Sequence, residues 1–238
     1  MPDNLFSSLK NKRIILVAGH YGSGKTEFSV NLALSAAENG HFGFARTALI
    51  DLDIINPYFR SREREQLLAD AGIQVYGNFY KGEVTAEIPA LSAAVRAPLE
   101  DPDCFVVVDL GGNNAGVRVS RPFLKYFKNP ECLFLAVVNA NRPETAGLSG
   151  ALEHLAALEA EMGMALHGLV NNCHLIRETT AETVLKGHDF CLRLSRETGI
   201  PLLFDCYPAP LCKPEAFTAP DMRLLPLGMH MRQSWLDK

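Results

Sequence analysis

The sequence predicts an α/β fold: a doubly wound, mainly parallel sheet of about seven strands with helices on both faces. Three observations predict it. Short β-branched and apolar runs alternate with longer segments of helical period, the pattern of repeated strand–helix–strand units. Most of the short runs are apolar on consecutive positions, as strands covered on both faces should be. The first of them leads straight into a glycine-rich loop, GHYGSGKT, that opens a helix.

The elements follow in order. Lys10, Lys12 and Arg13 precede the run IILVAG, but so short an apolar stretch, followed by His20 and Tyr21, reads as a first strand from Arg13 to Ala18 rather than a signal peptide. The helix from Thr26 stops at Asn39-Gly40, where glycine tolerates left-handed backbone. Further strands are expected at Thr47 to Asp51, Ile73 to Tyr76, Cys104 to Leu110 and Cys132 to Asn139. A helix from Glu144 to Met162 carries Leu148, Leu152, Leu155 and Met162 on one stripe and stops at Gly163. A strand from Ala165 to Asn171 precedes a helix whose capping box is Thr179 with Glu182 and which runs toward Gly199. Pro201 to Phe204 is the remaining strand. No internal repeat or linker divides residues 1–205, so they form one domain; residues 206–238, with Pro208, Pro210, Pro214, Pro220 and Pro226, form a proline-rich arm packed on it.

Composition narrows the function. With 47% apolar and 21% charged residues, the 238-residue chain can build a sizeable core and is not disordered. A net charge of −4 gives no footprint for sequence-independent nucleic-acid binding. No stretch approaches the roughly 18 apolar residues that span a bilayer, so the expectation is a cytoplasmic protein without a membrane partner. Cys104, Cys132, Cys173, Cys191, Cys206 and Cys212 form no CxxC pair and read as buried thiols in a reducing compartment.

The chemistry starts at Gly19 to Thr26, which matches the phosphate-binding pattern G-x-x-x-x-G-K-[ST] between a strand and a helix. Backbone N–H groups of such a loop and the helix N-terminus converge on one point, which suits a di- or triphosphate. Gly19, Gly22 and Gly24 allow the tight turn and close backbone approach; Ser23 and Glu27 complete the set around it. Lys25 would reach the β and γ phosphates, and the Thr26 hydroxyl would ligate Mg²⁺. Residues 1–205 are therefore a P-loop nucleotide-binding domain.

Carboxylates complete the scheme. Asp109 ends the run CFVVVD in front of Gly111-Gly112, a position for a magnesium-shell carboxylate, with the Gly112 N–H near a γ phosphate. Asp51 and Asp53 end the second strand on one side of the chain, so one would serve the Mg²⁺ shell and one would orient water, or either would cap the next loop. Asn56, Arg60 and Arg62 follow on a switch-like segment.

The loop, the D-x-D after the second strand, hhhDxGG, and GLVNN on the sixth strand together resemble the MinD/ParA and CobQ/CobB-type P-loop ATPases of the SIMIBI class. The resemblance covers roughly residues 13 to 205. It implies that Asp51 supports the metal, that Asp53 helps to activate water, and that the late-strand Asn, Asn171 or its neighbour Asn172, contacts the adenine. Where MinD and ParA carry a signature lysine that reaches across a dimer, this chain has His20, so that mode of dimerisation is not implied. Guanine readers use N-K-x-D; Asn171-Asn172-Cys173-His174 lacks the Asp, which favours ATP.

The resulting expectation is a slow Mg²⁺-dependent ATPase acting as a nucleotide-driven switch for a protein partner, with a homodimer as one form of it. The alternatives are an ATP-dependent ligase or kinase with a small-molecule acceptor, and a nucleotide-binding regulatory module without turnover. The segment Gly77 to Pro89 and the arm are where an acceptor would sit.

Overall fold

The structure, a computed structural model of the chain, describes residues 5–53, 65–77, 88–111 and 120–231. Gly112, Asn56, Arg60, Arg62 and most of the segment from Gly77 to Pro89 lie outside the described residues.

An eight-stranded sheet runs through the centre, in the order β3-β2-β4-β1-β5-β6-β7-β8. The strands are β1 (Ile14–Gly19), β2 (Arg46–Asp51), β3 (Gln74–Gly77), β4 (Cys104–Asp109), β5 (Cys132–Val138), β6 (Gly168–Asn171), β7 (Leu202–Pro208) and β8 (Leu224–Leu227). Every neighbouring pair is parallel. The helices are α1 (Lys25–Glu38), α2 (Glu65–Asp70), α3 (Ile88–Glu100), α4 (Leu124–Phe127), α5 (Leu148–Met162) and α6 (Ala181–Thr198).

Consecutive apolar residues of β1 explain why both faces are covered. Ile14, Leu16 and Ala18 point into a core shared with Leu99 of α3, Leu155 of α5 and Leu194 of α6. Ile15 and Val17 point into the opposite core, with Phe28 and Leu32 of α1, Leu68 of α2 and Leu225 of β8. A strand period of two thus feeds two helical layers at once.

The structure departs from the sequence expectation at the ends of elements. The sheet has an eighth strand because Leu224–Leu227 of the arm pairs with β7, which itself runs on to Pro208, past the boundary drawn at residue 205. Pro226 is tolerated there because β8 lies at the sheet edge, where a missing N–H costs no ladder bond on the open side. The capping box of α6 is Thr180 with Thr183, not Thr179 with Glu182: the Thr183 N–H donates to Thr180 Oγ1, and the Thr180 N–H donates back to Thr183 Oγ1. Thr179 instead closes its own turn, donating to the Ile176 carbonyl and accepting from the Leu175 N–H. Helix α5 starts at Leu148 rather than Glu144, since Pro143–Thr145 forms a separate 3₁₀ turn.

Candidate functional site

Strand β1 ends at Gly19, in the middle of the sheet, and the loop to α1 turns back over the strand ends. Gly22 and Gly24 have φ of 74° and 81°, a backbone region that side chains disfavour. Space is equally tight: a Cβ on Gly22 would lie 2.8 Å from Arg142 Nε. Gly24 is the N-cap of α1 and offers no capping side chain, so the first N–H groups of the helix are left for an anion.

Parallel pairing assembles the charged end of the site. Register places Asp51 directly opposite Asp109 across β2 and β4. Both are buried, as are Asp53, Lys25 and Thr26. Lys25 Nζ lies 3.0 Å from Asp53 Oδ2, and the Asp53 backbone N–H donates to Asp51 Oδ1 at 3.0 Å. Asp109 is different. Neither of its carboxylate oxygens has a hydrogen-bond partner among the described residues, and it is completely buried. Burial pushes its carboxyl up to about 7; the Lys25 charge and the neighbouring Thr26 hydroxyl oppose the rise, and Asp51 and Asp53 add to it. A buried carboxylate with unmet acceptors, beside a threonine hydroxyl and a second aspartate, is a donor set for a hard cation such as Mg²⁺.

Lys25 and Thr26 also line a cavity of about 480 Å³ whose lining includes none of the three aspartates. Its volume falls in the range of small-molecule sites. One wall is the loop itself, with Tyr21 and Glu27. A second comes from the strand ends beyond β5 and β6, with Arg142, Asn172, His174 and Ile176. The third is the arm, with Pro208, Leu227, Gly228, Met229 and Met231.

Side chains of α1 hold that third wall in place. Glu27 Oε1 accepts from the His230 N–H at 2.8 Å, and Oε2 accepts from the Met231 N–H at 2.9 Å. Asn31 Oδ1 accepts from the Gly228 N–H at 2.6 Å, while its Nδ2 donates to the Gly228 carbonyl at 3.2 Å. Glu27 thus serves the cavity by positioning the arm.

The two asparagines left open by the sequence separate cleanly. Asn171 is fully buried; its Nδ2 donates to the Val184 carbonyl and to Asp205 Oδ1, and its Oδ1 accepts from the Cys173 N–H. Its amide is occupied inside the fold, which corrects the expectation that it meets a base. Asn172 lines the cavity and donates from Nδ2 to the Ser23 carbonyl at 2.8 Å, tying the loop to the end of β6. Ser23 contributes that carbonyl, while its own N–H closes the turn onto the His20 carbonyl.

His20 turns toward α5 of its own chain, with its ring edge-on to His154 at 5.3 Å and Nδ1 3.9 Å from Glu144. His154, half-buried, is driven down to about 4 by desolvation first and by the neighbouring His20 second. His174 is likewise lowered to about 4, by burial first and by the Arg142 charge second, so it is neutral in the cavity wall. All six cysteines are free and buried.

Sequence reasoning assigned no site role to Arg142 or His174, and it placed an acceptor at the arm without singling out Leu227, Gly228, Met229 or Met231. A usable signal existed for the first two: both follow the carboxyl end of a parallel strand, where ligands of open α/β sheets bind. None existed for those arm residues.

No protein-family profile matches the chain, and no curated protein sequence does. Solved structures with a similar fold do exist. Cell division protein FtsY from Thermotoga maritima matches with a TM-score of 0.53 and 23% identity, over 80% of this chain and 60% of that one. FtsY from Mycoplasma mycoides gives 0.54 and 16%, over 81% and 59%. The 54 kDa signal recognition particle protein from Aeropyrum pernix, solved with GDP, gives 0.53 and 19%, over 82% and 41%. The chain therefore spans less than two thirds of each of these proteins. These likenesses bear on architecture alone, and the architecture they share with this chain is the P-loop NTPase α/β fold, a parallel sheet flanked by helices.

Proposed function

We propose that the chain binds ATP with Mg²⁺, hydrolyses it slowly and uses the cycle as a switch for a partner, in the manner of the MinD/ParA-type ATPases. The observation that carries this reading is Asp109: a fully buried carboxylate with only the Thr26 hydroxyl beside it to offset its charge among uncharged groups of the described residues, set opposite Asp51 and near the Lys25–Asp53 pair. Thr26, Asp51 and Asp109 would hold the ion, whose chemistry is to neutralise charge on the transferring phosphoryl group. Lys25 would exchange its contact with Asp53 for a phosphate oxygen. Released from the lysine, the Asp53 carboxylate can accept a hydrogen bond from water and orient it for in-line attack.

The base preference is supported by register. Counted from Asn172, the position of the guanine-reading carboxylate falls on Leu175, which accepts no hydrogen bond through its side chain. The GDP of the Aeropyrum protein belongs to that protein. Partner switching rests on the fold class. Phosphate release by purified protein, with sizing in the presence and absence of ATP and Mg²⁺, tests the proposal. Turnover with a nucleotide-dependent change of size is expected. Turnover that rises only with an added small-molecule acceptor would replace the switch by a ligase or kinase, and absence of turnover would leave a binding module.

A further inference from the structure

We propose that Arg142 is the platform on which the nucleobase stacks, a deepening that rests on the nucleotide reading above. The side chain is braced rather than loose. Its Nε donates to the Gly22 carbonyl at 2.8 Å, and its guanidinium lies so close over Gly22 that a Cβ there would come within 3.1 Å of Cζ. The backbone behind it is fixed too: the Arg142 N–H donates to the Asn139 carbonyl, and the Arg142 carbonyl accepts from the Thr145 N–H. Beyond the bond to Gly22, no hydrogen-bond or ion-pair partner for this guanidinium is found among the described residues. Glu144, the acid nearest in sequence, sits by His20 instead.

An uncommitted planar cation on a cavity wall wants either an anion or a flat π face. Position decides between them. The phosphate cradle is formed by N–H groups of the loop, whereas Arg142 is anchored to a loop carbonyl, outside that cradle. The same cavity is lined by Ile176, Leu227, Met229 and Met231, and by His174, which carries no charge at neutral pH. Gly22, Gly24, Lys25 and Thr26 line the same cavity and suit the polyanion, whereas these apolar residues suit an uncharged ring, and the thioethers adapt readily to an aromatic edge. Arg142 then reads the plane of the base, while the loop reads its phosphates.

The test is calorimetry of wild type, Arg142→Gln and Arg142→Lys with two probes, ATP and inorganic tripolyphosphate, each with Mg²⁺. Glutamine keeps a donor for Gly22 but loses the cation; lysine keeps the charge but loses the plane. Both variants are expected to bind ATP about five- to thirtyfold more weakly, with tripolyphosphate affinity unchanged. Equal losses for both probes would make Arg142 a phosphate contact or a loop brace and overturn the proposal. Full ATP affinity in Arg142→Lys would overturn stacking in favour of charge alone, and unchanged affinity in both variants would remove the residue from the site. Should wild type itself bind tripolyphosphate but not ATP, the nucleotide reading fails first, and the base platform with it.

Discussion

The two ends of the site are built on opposite principles. The phosphate end packs Lys25, Asp51, Asp53 and Asp109 into a buried cluster where charge is concentrated and mutual compensation is incomplete. Beyond the loop, the cavity end holds the Arg142 cation, a neutral imidazole and an apolar lining, with its geometry set by arm N–H groups that donate to Glu27 and Asn31. In the first, each side chain acts through its charge; in the second, most act through shape. Substitutions should therefore divide sharply between turnover and charge-dependent affinity on one side, and base selectivity on the other.

The largest effect should come from Asp53→Asn. Losing the acceptor that orients water should lower turnover about a hundred- to ten-thousandfold in a phosphate-release assay, while ATP affinity holds or rises slightly because Lys25 loses its competitor. A wild-type rate in this variant would return Asp53 to a structural role. Next, Lys25→Ala should weaken ATP and tripolyphosphate alike by roughly ten- to a hundredfold in calorimetry. If tripolyphosphate binding survived, the division between the ends would be wrong.

Glu27→Gln should do the reverse on a smaller scale. It removes an acceptor from the His230 and Met231 N–H groups, loosens the arm and weakens ATP by about three- to tenfold, with little change for tripolyphosphate. The smallest effect is on stability. Asp109 is raised in the folded state to about 7, so its contribution is fully present below the unfolded carboxyl range and is lost as pH rises through about 7. His154 and His174, lowered to about 4, act in the other direction: their contribution is present above the unfolded histidine range and lost as pH falls toward 4. Melting of metal-free wild type and Asp109→Asn across this range separates them. The variant should gain a few degrees at high pH and little at low pH, and Mg²⁺ should stabilise wild type most where the variant's advantage is greatest. Parallel curves would mean that Asp109 carries no unmet charge.

This asymmetry also explains what could be read in advance. The phosphate end is local in sequence: a loop, its flanking strand and helix, and aspartates at the ends of apolar runs each announce themselves, and parallel register does the rest. The sheet was legible for the same reason, since doubly covered strands leave uninterrupted apolar runs. Strand β8 was not, because LLPL contains a proline and lies at an edge. The choice between Asn171 and Asn172 needed the β6–β7 pairing that sets Asn171 beside Asp205. The arm wall of the cavity was beyond reach of motif reading. Nothing in Leu227, Gly228 or Met229 marks a binding segment, and only the fold brings them to α1.

That last contact has a consequence for how the protein is made. Glu27 and His230 are 203 positions apart, so the bond between them closes nearly the longest loop the chain contains. Contacts of such separation carry the greatest closure entropy and tend to form late. On the ribosome, the glycine-rich loop emerges and can turn long before the segment that closes the third wall of the cavity has been synthesised. A nascent chain would therefore be able to cradle a polyphosphate before it could distinguish one nucleotide from another, and nucleotide selectivity would be the final property that folding confers.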